Sequence, residues 1–399
     1  MPSESGLRFT IPPTRAASLF YFTFFAAQAA YGPFLAVYYT QTGLTGSEIG
    51  LLAAVGPLIS LIVGPTISAL ADRRGQRVGL LIMGLIATAL LILLLPIPRS
   101  FAWFLPIVAL LSVVGSPMLS IADGLVARMA SRRGRAYGRM RLWGSLSWAI
   151  VAAGVGAIWA EIGYFLMFPL ATIVLLTSIP FARRLEEDRS PGPQPKLPIR
   201  VVVSDIRLRV VLVATFVLGL AFAVASTFTG IYMSKVGGSL LVGLFSGIVA
   251  LSELPVMHWS EGIMRRLGGP ATLVLAYLLL GSSYLGVAFI GSPVLLLGVA
   301  VLQGFGFGIF LPVTVRLVSD WGPPEWSSTS QGLMNAGMWG LAPLIAGPIG
   351  GMIYDSYGPA AVFLACVGAA LLAGLVVLTA QYAGLFKKRE ELTVLPVAE

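Results

Sequence analysis

The chain has 399 residues, of which 57% are hydrophobic and only 11% charged, and it carries a net charge of +9. An ordinary soluble domain has roughly 25% charged residues, so the composition excludes a soluble globular protein and points to a membrane protein. The lone Cys366 excludes an intramolecular disulfide, and one cysteine with one histidine, His258, cannot build a structural zinc site. No metal or cofactor is expected.

A hydrocarbon core about 30 Å thick needs about 20 apolar residues per helix. Six uncharged runs of that order come first, over 16–39, 49–71, 78–98, 101–122, 142–160 and 162–182. After a polar, proline-rich break come 210–234, then 236–260 with Glu253 inside it. The uncharged run 267–315 is too long for one helix and is divided at Gly291-Ser292-Pro293, and 326–354 and 356–386 complete twelve spans. The first span is long and followed by others, so it reads as a retained helix rather than a cleaved signal, although AAQAA mimics a cleavage site. Of the 26 Lys and Arg, only Arg99 and Lys235 fall on the face opposite the termini. By the positive-inside rule both termini are cytoplasmic, in an inner membrane. The positive charge then reports topology and contact with an anionic leaflet, without nucleic acid.

Landmark glycines repeat along the chain. Gly43 matches Gly237, Gly75 matches Gly268, Gly138 matches Gly332 and Gly163 matches Gly358, each pair offset by about 194 residues. The expected fold is all-α, two pseudo-symmetric six-helix halves over 1–182 and 210–399, the second with a short cytoplasmic tail. A charged, proline-rich cytoplasmic linker, 183–209, joins them.

Candidate residues follow in chain order. In the first span Gln28 and Tyr31 lie deep enough to face a cavity, whereas Tyr38 and Tyr39 read as an interfacial aromatic belt. The second span carries Gly56-Pro57 and Gly64-Pro65, which suit either a flexing, path-lining helix or close packing. In the loop after it, Asp72, Arg73, Gly75 and Arg77 form a compact charged turn. On the fourth span Ser112, Ser116, Ser120 and Asp123 share one helical face, and on the fifth so do Arg141, Ser145 and Trp148. An acid costs a few kcal/mol or more in a membrane unless it meets a partner or water, so Asp123 faces the bundle interior. Arg141 lies at a similar depth, and the two can pair, either in a solute site or as a structural ion pair. Glu253 in the eighth span is an acid suited to carrying a proton, and His258 suits packing or the cytoplasmic side. Arg316 and Asp320, at i and i+4, read as a local ion pair. Gly304, Gly306 and Gly308 lie inside an apolar span with no strand before them, so they favour close helix contact over a dinucleotide loop. Gln331, Asn335 and Trp339 share a face of the eleventh span and offer contacts from the second half.

The loop SALADRRGQR resembles the signature of the major facilitator superfamily at Asp72, Arg73, Gly75 and Arg77, with Ser68 in place of the usual leading glycine and Gln76 where a basic residue is common. The resemblance implies a gating ion pair between helix ends. AYGPFLAVYY, SALADRRGQRVGLL and GRMRLWGSLSWA further resemble the lactose permease branch with its phenylpropionate and nucleoside permease relatives. It implies that Asp123 and Arg141 hydrogen-bond the solute and that Trp148 stacks on it. Gln303 and Gly306 stand where that branch carries histidine and glutamate, and the ninth span has no charge, so the familiar proton route is missing. The expected substrate-binding set is Asp123, Arg141, Trp148, Gln28, Tyr31, Gln303 and Asn335, with Glu253 and Asp123 as proton sites. AGPIGG is similar to the signature of drug antiporters, but on the eleventh span rather than the fifth.

The expected function is proton-coupled uptake of a sugar, nucleoside or aromatic acid by a monomer working through alternating access. The alternatives are proton-driven efflux of apolar compounds and a non-transporting receptor on the same fold. No nucleophile, base and orienter occur together, so an enzyme is not expected.

Overall fold

The computed structural model describes residues 11–74, 76–186, 203–323 and 326–386, with the side chains of 65, 68–74 and 328 left aside. The helices are α1 (Pro13–Gln41), α2 (Gly46–Arg74), α3 (Arg77–Ile92), α4 (Phe101–Arg132), α5 (Tyr137–Ile162), α6 (Met167–Leu176), α7 (Ile179–Ala182), α8 (Ile206–Leu267), α9 (Gly269–Phe289), α10 (Pro293–Trp321), α11 (Ser327–Asn335) and α12 (Ala342–Tyr382). A π-helical turn, Ala336–Leu341, joins α11 to α12.

Twelve passes emerge once backbone breaks are taken into account. Among the described residues eight helical stretches are long and apolar enough to cross a membrane, and two of them, 62 and 54 residues long, are double passes. The first, α8, folds back at Gly237 and Gly238. The second folds back at Gly358, whose φ of 82° matches the left-handed Gly163 (φ 68°) at its partner position in the first half. Both sites favour glycine because a Cβ is strained there, which gives the sequence repeat its physical reason. α3 and α6 with α7 are the shorter passes. α3 stops at Ile92, short of the expected end at residue 98, because Pro96 and Pro98 cannot donate to a helical ladder. The sixth pass breaks at Thr177-Ser178 for the same reason, since Pro180 lacks the N–H that Leu176 would need.

Tyr38 and Tyr39 correct the belt expectation. They are buried, with Tyr38 edge-on to Phe168 and Tyr39 edge-on to Phe104, each at 4.9 Å between centroids. Aromatic pairs bury area inside the first half rather than meeting the interface. Arg99 and Lys235 lie on the face opposite the termini, where Lys235 donates to the Tyr354 hydroxyl at 2.8 Å. On the termini face, Asp205 caps α8 by accepting from Arg207 N at 2.8 Å. The Arg207 guanidinium beside it holds the Asp205 carboxyl below the usual carboxylate range. Arg132 and Arg133 pair with Glu186, and Arg316 pairs with Asp320 at 2.9 Å.

The halves meet through glycines on the face opposite the termini. Gly50 and Gly347 bring α2 and α12 into backbone contact, and a methyl on Gly347 would sit 2.5 Å from the Gly50 carbonyl oxygen. Gly156 and Gly243 do the same for α5 and α8, where a methyl on Gly156 would lie 2.9 Å from the Gly243 Cα. A methyl on Gly230 would meet the Pro33 carbonyl oxygen at 2.6 Å, tying α8 to α1. Asp355, just before the Gly358 turn, then accepts from Gly46 N (2.7 Å), Ser47 N (2.8 Å) and Ser47 Oγ (2.6 Å) across the halves. A carboxylate is favoured at a helix N-terminus. Burial opposes its ionisation, but the hydrogen bonds from Ser47 and Gly46 outweigh it and hold the carboxyl below its ordinary range.

Gly347→Leu forces this seam apart, since overpacking costs about 1–3 kcal/mol. A cysteine placed at Ala53 will then label several-fold faster with an impermeant thiol reagent added from the face opposite the termini, against a low background from buried Cys366. For Asp355 the lowered value means that its contribution is present above the usual carboxylate range and lost as pH falls through its folded value. The gap in unfolding temperature between wild type and Asp355→Asn in detergent will therefore narrow on acidification.

Candidate functional site

α4 and α5 bring Asp123 and Arg141 into one region but do not pair them. The Tyr21 hydroxyl from α1 donates to Asp123 Oδ1 at 2.5 Å. The Arg141 guanidinium instead lies over the Phe25 ring, 4.0 Å from its centroid, and 5.5 Å from that of Tyr21. Among the described residues no ion pair joins Asp123 to Arg141, which corrects the expected pairing. The physical reason is local. Gly144, one turn after Arg141, leaves a gap that Phe25 and the guanidinium share, and a methyl there would meet Phe25 at 2.7 Å and Arg141 Nη1 at 2.8 Å. An arginine over an aromatic face gains about 0.5–2 kcal/mol, and a phenol already satisfies the acid.

α5 is held on α1 by polar bonds between helices that have no hydrophobic reason to associate within lipid. Ser147 Oγ donates to the Phe22 carbonyl at 2.6 Å and Trp159 Nε1 to the Ala30 carbonyl at 3.1 Å. Trp148 reaches across the halves, donating from Nε1 to Ser246 Oγ on α8 at 3.0 Å. Its ring lies against Gly32, where a methyl would stand 3.3 Å from it. Tyr164 and Ser239 make a second bond across the halves at 2.7 Å.

The remaining expected residues are dispersed. On α1, Gln28 is half-buried and Tyr31 buried. Ser112 donates to the Val108 carbonyl, Ser116 Oγ is buried without a partner, and Ser120 is exposed, so the fourth-span face is only partly internal. Glu253 is half-buried on α8 and accepts no hydrogen bond among the described residues. Its backbone is held close to α10, where methyls on Gly304 and Gly308 would meet Glu253 N at 3.3 Å and Glu253 O at 2.9 Å. Gly306 faces Leu280 on α9. Gln303 presents a buried Oε1 with no partner. Gln331 is occupied, donating to the Val315 carbonyl at 2.7 Å and to Ser319 at 3.0 Å, while Asn335 and His258 are exposed. Arg77 is 2% exposed, whereas the Asp72 and Arg73 side chains and Gly75 lie outside the described residues.

The structure adds Tyr21, Phe25 and Ser246 to the expected set. Tyr21 and Phe25 stand at i and i+4 of an aromatic first span, where nothing in the sequence separates a ring facing an acid from a ring in the core. A cavity of about 190 Å³ also opens between the halves, lined by Pro57 of α2, Phe222 and Thr227 of α8, and Trp339 and Gly347 of the eleventh pass.

Twelve passes in two glycine-seamed halves, with polar groups and a cavity inside, define a membrane transporter fold. The chain belongs to the MFS_1 like family, whose model matches residues 15–365, and is thus a major facilitator transporter rather than an enzyme. It is 29% identical over 352 residues to the maltose permease of Geobacillus stearothermophilus, covering 87% of this chain and 89% of that one. It is 25% identical to the multidrug resistance protein MdtG of Enterobacter lignolyticus, over 92% of this chain and 90% of that one. A crystal structure of a mutant of the nucleoside transporter NupG superposes with a TM-score of 0.83, covering 94% of this chain and 100% of that one at 13% identity. That likeness concerns the fold.

The site geometry makes Tyr21 testable. Tyr21→Phe removes the hydroxyl that donates to Asp123 at 2.5 Å, with Tyr137 the other phenol beside that carboxylate, and losing a hydrogen bond to a charged or buried group costs about 1–3 kcal/mol. Purified Tyr21→Phe will unfold at a lower temperature in detergent, and Asp123→Asn will recover part of the loss in the double variant.

Proposed function

We propose that this chain imports a small polar, ring-bearing solute together with a proton, across an inner membrane with both termini in the cytoplasm. The solute is a sugar, a nucleoside or an aromatic acid. One observation carries the reading: Asp123 and Arg141 occupy one region of an apolar bundle without neutralising each other. Opposite charges kept apart at such a cost are available to a ligand. Arg141 leaves an aromatic face to meet a hydroxyl or carboxylate, Asp123 exchanges the Tyr21 hydroxyl for a solute hydroxyl, and Trp148 offers a ring to stack on. Gln28, Tyr31, Gln303 and Asn335 are the secondary contacts, and of these Gln303 carries a buried Oε1 without a partner. If the solute is an acid, Arg141 is its counter-ion and Asp123 must take up a proton to admit it.

Glu253 is the leading proton site, because it is half-buried with no hydrogen bond to fix its charged form among the described residues. The seam closed opposite the termini corresponds to an inward-facing state of a monomer whose two halves rock against each other around a central cavity, and residues 187–202 of the linker between them lie outside the described residues. Asp72, Arg73, Gly75 and Arg77 close the opposite face in the other state. The likeness to a maltose permease over 87% of this chain favours a sugar. Likeness to a multidrug resistance protein over 92% of the chain keeps proton-driven efflux as the second reading.

Proteoliposomes holding the purified chain separate these readings. Labelled maltose, uridine or 3-phenylpropionate will accumulate with an inward proton gradient and equilibrate without one. Glu253→Gln will abolish accumulation while leaving counterflow, and Arg141→Ala will weaken affinity by about tenfold or more, the scale of one lost charged hydrogen bond. Accumulation that survives Glu253→Gln removes the proton assignment, and extrusion of an apolar dye against the gradient replaces uptake by efflux.

A further inference from the structure

The cavity between the halves is walled on one side by aromatic rings of the second half. Phe222 and Phe307 stack with centroids 5.0 Å apart and planes at 26°, and Trp339 stands edge-on to them at 5.3 and 6.3 Å. Phe307 also leans on Phe310, at 6.0 Å, so the wall is anchored in the core of that half. Phe222 and Trp339 line the cavity itself, with Ser226 and Thr227 beside them.

Trp339 arrives there by an irregular route. It sits in the π-helical turn Ala336–Leu341, and such a turn inserts one residue into the helical register. Single π-helical turns occur frequently at functional sites. The regular ladder is given up in the very segment that carries the indole, 40% accessible and lining the cavity.

The polar groups specify the chemistry. Ser226 Oγ and Thr227 Oγ1 both donate to the Ala223 carbonyl, at 2.9 and 3.0 Å, so each keeps lone pairs to accept from a ligand. The Trp339 indole N–H has no partner among the described residues and can donate. Among the described residues no charged side chain lines the cavity. Apolar ring faces flanked by one donor and two acceptors, without a charge, match a neutral polyhydroxyl ring: its C–H face packs on Trp339 and Phe222 while its hydroxyls meet Ser226, Thr227 and the indole. A carboxylate would find no counter-charge there.

We propose that Phe222, Trp339, Ser226 and Thr227, backed by Phe307, form a second solute subsite that takes the ring of a neutral sugar such as a pyranose. The inference rests on the chain being a solute importer and names the solute class for the cavity lined by α2 and the second half. It also places ligand against the segment bearing Gly347, which lines the cavity and makes the seam with Gly50.

The test is equilibrium binding of radiolabelled maltose, uridine and 3-phenylpropionate to the full-length protein in nanodiscs. Wild type will bind maltose, Trp339→Leu and Phe222→Leu will each weaken that binding by about tenfold, the upper end for one aromatic contact, and Trp339→Phe will recover most of it. Binding of 3-phenylpropionate, if present, will change little. Ser226→Ala with Thr227→Val, which leaves the rings intact, will weaken maltose binding in a protein of unchanged unfolding temperature. Maltose binding by wild type that is unchanged in Trp339→Leu and in the hydroxyl variant overturns the subsite while leaving the importer reading standing. Binding of 3-phenylpropionate or uridine without maltose overturns the sugar assignment alone. Wild-type protein that neither binds nor accumulates any of the three overturns both.

Discussion

A helix approaches another closely enough for its carbonyl oxygens to touch the partner's Cα hydrogens only where side chains are missing, and this chain places such residues at Gly50 with Gly347 and at Gly156 with Gly243. Two pairs, each spanning the boundary between halves, hold the face opposite the termini shut through many weak contacts rather than through a large buried side chain. Everything beneath the seam inherits its position from it. Trp148 reaches Ser246 because α5 and α8 lie this close, and the cavity ends at Gly347 because α2 meets α12 there. Asp355 adds an ionic element, a carboxylate set on the amides that open α2.

Against that apolar closure, the polar interior is economical. Asp123 is satisfied by a phenol and Arg141 by a ring face, neither of which fixes a charge as firmly as a direct ion pair would. Both arrangements are exchangeable at modest cost. At the cavity the second half contributes rings and hydroxyls instead of charge, so that wall differs in chemistry from the region of Asp123 and Arg141.

The number of passes and the internal repeat were legible because membrane spans declare themselves by length, and glycines such as Gly163 and Gly358 at left-handed turns recur with the fold. Asp123, Arg141 and Trp148 were legible as rare residue types in an apolar setting. Their partners were not. Tyr21 and Phe25 sit among Phe20, Phe22 and Phe24, and no local rule says which ring turns toward an acid. The pairing of Asp123 with Arg141 was inferred from depth, but depth does not fix rotamer, and Gly144 gave the guanidinium another place to lie. Tyr38 and Tyr39 looked interfacial for the same reason, since position along a helix does not reveal which side is packed. The π-helical turn had no signature beyond the glycines Gly337 and Gly340, so the wall built on Trp339 became visible only in three dimensions.

The tight turns at Gly163, Gly237–Gly238 and Gly358 have a mechanical consequence. Connections of this length cannot fold over a bound molecule, so at these three turns the face is framed by helix ends alone. Motion at the mouth is then geared to motion of whole rods some tens of ångströms long at about 1.5 Å per residue. A tilt of such a rod moves its ends far more than its middle.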